Sequence, residues 1–347
     1  MPVETVTIAI PTYNEAKHIE AVLTNFLSQG YRGLLEIFVA DGGSTDGTPE
    51  IVEQIARRNS VVKLIHNPAR RQANALNLIL EVAKGDIFLR ADAHCIYAED
   101  YIENCVLTLL KSKALNVGGA QRFIANNAFQ AGLVLASMSL LGNGGAKYRN
   151  PDYCGFADTV FIGCFWRDAL LKVSGYRTDV GPNEDAELNQ RLLQQQKNAV
   201  YISSNIRVWY YPRSSLSTLW IQYFRYGRGR YRSACLHKRR LPFRTKLPGL
   251  FLISSIVLSL ILIYTSVWYF GIFVVLVLIS FGLESIRLTC QSIKSFKIRF
   301  WRSSQDVPNL FLRFLYCWIA LLVMPIAYST GGFYQLLRSR ILKVYGW

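Results

Sequence analysis

No charged residue interrupts the stretch from Leu247 to Leu283. As one helix, rising 1.5 Å per residue, it would reach about 55 Å, far beyond the ~30 Å apolar core of a bilayer. Two spans turning near Thr265-Ser266 fit that length. A second uncharged run, Phe314 to Leu337, is long enough to cross once. Pro325 and Gly331-Gly332 leave open a tilted or re-entrant course for it, so the chain is expected to cross two or three times. Positive charge collects on the side of synthesis. That places Arg287, Lys294, Lys297, Arg299, Arg302 and Arg313 in the cytoplasm; a third crossing would carry Arg338, Arg340 and Lys343 out against the rule. The absence of charged residues inside either run argues against a transporter.

Charge divides the 347 residues unevenly. Residues 1–210 hold 20 Lys/Arg and 21 Asp/Glu, a net of −1, whereas residues 211–347 hold 19 and 2, a net of +17. A near-neutral globular domain (1–210) is therefore followed by a basic, aromatic stretch (211–246) and a membrane region (247–347). Basic and apolar character together point to anionic lipid as partner and away from nucleic acid, because the cations flank long uncharged runs. Seven scattered cysteines form no CxxC pair and read as reduced thiols. The N-terminus lacks a basic region followed by an apolar core, so no cleavable signal is expected. The expected location is the cell inner membrane, multi-pass, with the first domain cytoplasmic.

In the first domain apolar runs alternate with helical patterns. Val6 to Ile10, Leu34 to Ala40, Val61 to His66 and the run before Arg90 read as strands. Ile19, Val22, Leu23, Phe26 and Leu27 form one helical stripe, and further helices are predicted from about Pro49, over Arg71–Lys84 and over Ala98–Leu110. Such alternation predicts an α/β fold with a mostly parallel sheet covered on both faces. Ligands of such sheets sit beyond the carboxyl ends of the strands, where Tyr13, Asp41 and Asp92 fall. Residues 115–122 and 159–166 are two more strands, Arg167 to Ser174 is a helix, and residues 123–158 show no period.

Gly85 to His94 reads as a short strand ending at two candidate metal ligands, Asp92 and His94. Residues two apart on extended chain point the same way. A carboxylate and an imidazole suit a divalent ion shared with a phosphate-bearing substrate, although a solvated strand end would carry the same residues. Asp41, in Asp41-Gly42-Gly43-Ser44-Thr45-Asp46-Gly47-Thr48, is either a reader of a donor-rich base edge or an Asx-turn residue. Arg70 and Arg71 could meet phosphates or be solvated. Glu184 and Asp185 open a helix, whose N-terminus favours the carboxylate form; acids in a first turn also occur simply as caps.

Ile10-Pro11-Thr12-Tyr13-Asn14-Glu15, then Val39 to Thr48, then Asp92-Ala93-His94 together resemble glycosyltransferase family 2, over roughly residues 3–210. The resemblance implies the GT-A fold, inversion at the sugar carbon and Mg2+ or Mn2+. It further implies that Pro11, Tyr13, Glu15 and Asp41 hold the nucleoside of a sugar donor, with Asp92 and His94 on the metal of its diphosphate. Asp185 matches the family's base and Glu184 its acidic neighbour. His94 stands where the family has Asp, a variant similar to the succinoglycan-type exopolysaccharide glucosyltransferases. Gln222-Tyr223-Phe224-Arg225-Tyr226 is similar to the Gln-x-x-Arg-Trp motif of membrane polysaccharide synthases, which lines the donor diphosphate. It differs by Tyr226, and its interleaved aromatic and basic residues equally suit an interfacial helix. The basic residues from Arg225 to Lys246 would form a collar at the headgroups.

The expectation is a membrane-anchored transferase. It passes one sugar from a nucleotide sugar, UDP-linked, to a glycan or polyprenyl-linked acceptor. A processive synthase and a non-catalytic nucleotide-binding scaffold are the rival expectations.

Overall fold

The computed structural model describes residues 3–181, 183–237 and 243–344. In chain order the elements begin β1 (Val6–Thr12), α1 (Ile19–Ser28), β2 (Leu34–Asp41), α2 (Thr48–Arg58), β3 (Val62–His66) and α3 (Gln72–Val82). There follow β4 (Ile87–Arg90), β5 (Cys95–Tyr97), α4 (Tyr101–Ser112), β6 (Asn116–Phe123), α5 (Ala128–Met138) and α6 (Leu140–Asn143). Then come β7 (Gly155–Phe156), β8 (Phe161–Trp166), α7 (Arg167–Lys172), α8 (Glu184–Gln195) and β9 (Val200–Tyr210). The chain continues through α9 (Leu216–Leu236), α10 (Phe243–Thr265), α11 (Val267–Ser292), α12 (Phe296–Phe300) and α13 (Leu310–Arg340). They gather into two compact units. The first comprises the chain up to Arg122, Asn150–Asp179 and Glu184–Tyr210; the second comprises Phe123–Arg149, Val180–Asn183 and the chain from Tyr211.

The first unit is built on a sheet of order β3-β2-β1-β4-β8-β6-β9-β5, with β7 beside β9. The strands predicted from the first ninety residues are parallel: β1 lies between β2 and β4, and β2 pairs β3. β8 joins β4 and β6 antiparallel, and β9 pairs β5 and β7 antiparallel, so the sheet is mixed where a mostly parallel one was expected. Ile8, Ile10, Ile37, Val39, Phe88 and Leu89 are fully buried, as strands covered on both faces require. Thr12 pairs with Asp41, and Ala9 with Arg90. β1, β2 and β4 therefore run out toward one edge of the sheet, and their following loops leave from it.

The second unit is helical. Three helices, Thr245–Thr265, Val267–Ser292 and Leu310–Arg340, are long and apolar enough to cross a membrane. The break between α10 and α11 falls at Ser266, as expected, and its hydroxyl accepts from the Trp268 amide at 3.3 Å. α13 passes Pro325 as one continuous helix of 31 residues. α5 occupies part of the stretch where no period was visible. It is buried from Phe129 to Ala136 on every side, and a helix apolar all round shows no stripe. α9 packs along α13 with two glycines at the contact. A Cβ at Gly227 would stand 1.9 Å from the Tyr328 carbonyl oxygen, and one at Gly331 2.0 Å from that of Phe224. Lys238, Arg239, Arg240 and the side chain of Arg244, members of the expected collar, lie outside the described residues.

Alanine raises helix propensity over glycine by about 1 kcal/mol, yet Gly227→Ala is expected to destabilise, because the carbonyl of α13 blocks the new methyl at a cost of roughly 1–3 kcal/mol. Thermal unfolding of the detergent-solubilised chain should show a lower Tm for Gly227→Ala. Gly271→Ala, where a Cβ meets nothing within 4 Å, should show an equal or higher one.

Candidate active site

The loops after β1 and β2 are laced together. The Asn14 amide donates to Ser44 Oγ at 2.8 Å, and the Thr45 amide donates back to Asn14 Oδ1 at 2.9 Å. The Glu15 amide donates to Thr48 Oγ1 at 2.9 Å and that of Ala16 to Asp46 Oδ2 at 3.0 Å. Asn14 adopts φ 56°, a left-handed turn that asparagine tolerates. Tyr13 stands exposed and Pro11 half-buried at the strand end. Asp41 is buried and turns inward on its own loop. Its Oδ2 accepts from the amides of Gly43 and Ser44, each at 2.8 Å, and its Oδ1 accepts from the hydroxyls of Ser44 and Thr12. Those bonds are an Asx-type turn, and they hold the carboxylate at the floor of the loop.

β4 ends in Arg90, whose side chain is 6% exposed and which the sequence reading left without a role. Its Nε donates to Asp92 Oδ1 at 3.1 Å and its Nη2 to Asp92 Oδ2 at 3.3 Å. Its Nη1 bonds Asp185 Oδ1 and lies 3.9 Å from Glu184 Oε1. One buried guanidinium thus gathers the candidate metal ligand and the candidate base, residues 93 positions apart. Gln72, on α3, adds a donor to Asp92 Oδ1 at 3.2 Å. Burial pushes the Asp92 carboxyl up, but the Arg90 charge, His94 and the hydrogen bonds of Arg90 and Gln72 outweigh it and hold the group below its ordinary value.

Glu184 and Asp185 open α8. Burial, and then the neighbouring Asp185 charge, raise the Glu184 carboxyl to about 7 against the pull of Arg90. Asp185 is different: its side chain is 40% exposed, and only its Oδ1 faces Arg90. Tyr176 packs into the same cluster, its buried hydroxyl without a hydrogen-bond partner. Burial and the nearby Asp185 charge push that phenol up. α3 anchors this segment: Asn77 exchanges hydrogen bonds with the Tyr176 backbone at 2.7 and 2.8 Å, and Arg71 Nη1 donates to the Thr178 carbonyl at 3.3 Å. Arg70 lies alongside Gly43, within 3.4 Å of where a Cβ would stand.

His94 Nδ1 lies 3.2 Å from Glu15 Oε1, so a predicted nucleoside ligand and a predicted metal ligand are in contact. A carboxylate on one ring nitrogen orients the other toward a metal. Among the described residues no group of three or more His, Cys, Asp or Glu could enclose an ion. Asp92 and His94 together suit an ion that takes its remaining ligands from a diphosphate and water. Gln222 and Arg225 lie on α9 in the second unit. Gln222 Nε2 donates to the Tyr226 hydroxyl at 3.1 Å, and Arg225 is exposed.

A half-parallel sheet with laced loops and a carboxylate cluster beyond its strand ends defines a GT-A type fold. The family model for glycosyl transferase family 2 matches residues 7–166. The chain is 36% identical over 243 residues to the succinoglycan biosynthesis protein ExoA of Rhizobium meliloti, covering 70% of this chain and 73% of that protein. It is 30% identical over 233 residues to the dolichyl N-acetyl-alpha-D-glucosaminyl phosphate 3-beta-D-2,3-diacetamido-2,3-dideoxy-beta-D-glucuronosyltransferase of Methanococcus voltae, covering 64% and 71%. The mannosyltransferase PcManGT of Pyrobaculum calidifontis, solved with GDP-Man and Mn2+, shares the fold at a TM-score of 0.56 and 20% identity, covering 97% of this chain and 88% of that one. The chain belongs to glycosyl transferase family 2 and is a glycosyltransferase.

Arg90 had a signal in the sequence: a lone charge closing the buried run Ile87-Phe88-Leu89 must find a partner. Which carboxylates supply it was not legible.

Because the Glu184 carboxyl is raised, the folded chain holds that proton more tightly than the unfolded one. Its stabilising effect is full below about 4.5 and is lost as pH rises through about 7. Glu184→Gln cannot ionise, so wild-type stability should fall relative to Glu184→Gln between about pH 5 and about pH 8, by at most ~3 kcal/mol. Thermal melts of both proteins across that range check it.

Proposed function

We propose that this transferase passes one sugar, with inversion, from a UDP-linked donor to a polyprenyl-linked or glycan acceptor at the cytoplasmic face of a membrane, in the making of a cell-surface polysaccharide. The observation that carries the reading is the Arg90 guanidinium shared by Asp92 and Asp185, which makes the donor-side carboxylate and the base two sides of one centre. The names of the Rhizobium and Methanococcus relatives support the polysaccharide and lipid-linked acceptor. The three long apolar helices and the basic stretch from 211 to 246 support the membrane.

In the proposed reaction Asp185 Oδ2, which accepts no hydrogen bond from the described residues, takes the proton of the acceptor hydroxyl. The freed oxygen forms its bond to the anomeric carbon while the bond from that carbon to the phosphate oxygen breaks. The electron pair leaves with the nucleoside diphosphate, and Asp185 is left protonated. Arg90 keeps the base fixed beside the reacting carbon. Glu15, Tyr13, Pro11 and Asp41 seat the nucleoside, and Arg71 meets the diphosphate. Asp92 and His94 would hold Mg2+ or Mn2+, which supplies charge neutralisation of the departing diphosphate.

Membranes carrying the chain, incubated with radiolabelled UDP-sugars, should label a lipid-extractable product of one added sugar; a ladder of long products would favour a processive synthase. Asp185→Asn should lower the rate by about 100-fold or more; wild-type transfer by Asp185→Asn would remove the base assignment. Chelation with EDTA should stop transfer and Mn2+ restore it. His94→Ala should need more Mn2+ for half-maximal rate, because one donor of the ion is gone.

A further inference from the structure

Arg313 lies one turn into α13, and only 6% of it is exposed. Its Nε and Nη1 are buried and have no hydrogen-bond partner among the described residues. The ring of Phe296, on α12, covers one face of the guanidinium at 4.7 Å. A cation–π contact compensates only part of the cost of burying such a charge. The second unit's long C-terminal stretch holds two acids, Glu284 and Asp306. Glu284 is committed to Arg287 at 2.7 Å and to the Ser139 hydroxyl at 2.6 Å. Neither acid is within ion-pairing distance of Arg313 among the described residues. Arg90, equally buried at the end of β4, has three carboxylates around it.

A second orphan lies on the neighbouring helix. The Ser285 hydroxyl donates to the Phe314 carbonyl at 2.7 Å, which sets α11 and α13 side by side. One turn beyond Ser285 is Thr289, 4% exposed, whose Oγ1 also lacks a partner. In an antiparallel pair that turn stands within about one helical turn of the level of Arg313 on α13. The chain linking α11 to α13 supplies Lys294, Lys297, Arg299 and Arg302 against Asp306 alone. This is the end of both apolar helices, where a bilayer has its headgroups.

We propose that Arg313 and Thr289 form a phosphate-binding site that takes the headgroup phosphate of an anionic phospholipid. The guanidinium donates to the phosphate oxygens, the threonine hydroxyl adds one donor, and the linker cations favour a lipid with net negative charge. The choice of a lipid as the source rests on the membrane reading; the phosphate chemistry does not.

The test uses the full chain in detergent, exchanged until co-purified phospholipid phosphorus is gone. Tm is then read with no addition, with phosphatidylglycerol, with phosphatidylcholine, and with inorganic phosphate. Phosphatidylglycerol should raise the wild-type Tm at least twice as much as it raises that of Arg313→Met or Arg313→Gln, and more than phosphatidylcholine does. Without lipid the two variants should melt at or above the wild-type temperature, since they remove an unpaired buried charge. That sign separates a ligand site from a structural role, in which the variants would melt lower in every condition. An Arg313-dependent gain from inorganic phosphate alone supports the site and assigns it to a free phosphate. Equal gains in wild type and variants with every addition, or lower melting of both variants without lipid, overturn the proposal. A chain that stays in solution without detergent would end the membrane reading, while the inorganic phosphate measurement still decides the site.

Discussion

A guanidinium sealed inside protein must be answered by negative charge, and Arg90 is answered three times over. Its fork grips Asp92, its remaining nitrogen grips Asp185, and Glu184 stands just behind. Removal of any one carboxylate leaves the cation still paired, but removal of the cation would leave three acids sharing a buried space. That imbalance is why burial and the Asp185 charge drive Glu184 toward neutrality, while the half-exposed Asp185 is left to solvent on one side. Two adjacent acids on one helix turn thereby acquire different characters from environment alone.

The rest of the first unit serves to deliver these groups to one place. Parallel β1, β2 and β4 finish at a common edge, so their loops meet without long excursions. Asp41, Asp46 and Ser44 spend their polar atoms on backbone amides, which makes the loops a preformed cradle rather than a flexible rim. α3 reaches the cluster through Gln72 and the segment carrying Tyr176 through Asn77 and Arg71. In the second unit close packing replaces charge as the organising force. Glycines let the backbones of α9 and α13 approach to a distance that no side chain would permit, as small residues do between apolar helices.

The sequence alone settled whatever depends on local order. Periodicity placed the strands and helices of the first ninety residues, the motifs Pro11 to Glu15, Asp41 to Thr48 and Asp92 to His94 pointed to the family, and the uncharged runs with their break at Ser266 were plain. These features are written in neighbouring residues, where spacing and polarity speak directly. The tertiary structure alone decided the antiparallel half of the sheet, the burial of α5 on all sides, the contact of Glu15 with His94, and the meeting of Arg90 with Asp185. Each of these joins residues distant in the chain. Pairing across such separations depends on which surfaces come together in space, and a one-dimensional pattern of charge and hydrophobicity carries no term for it.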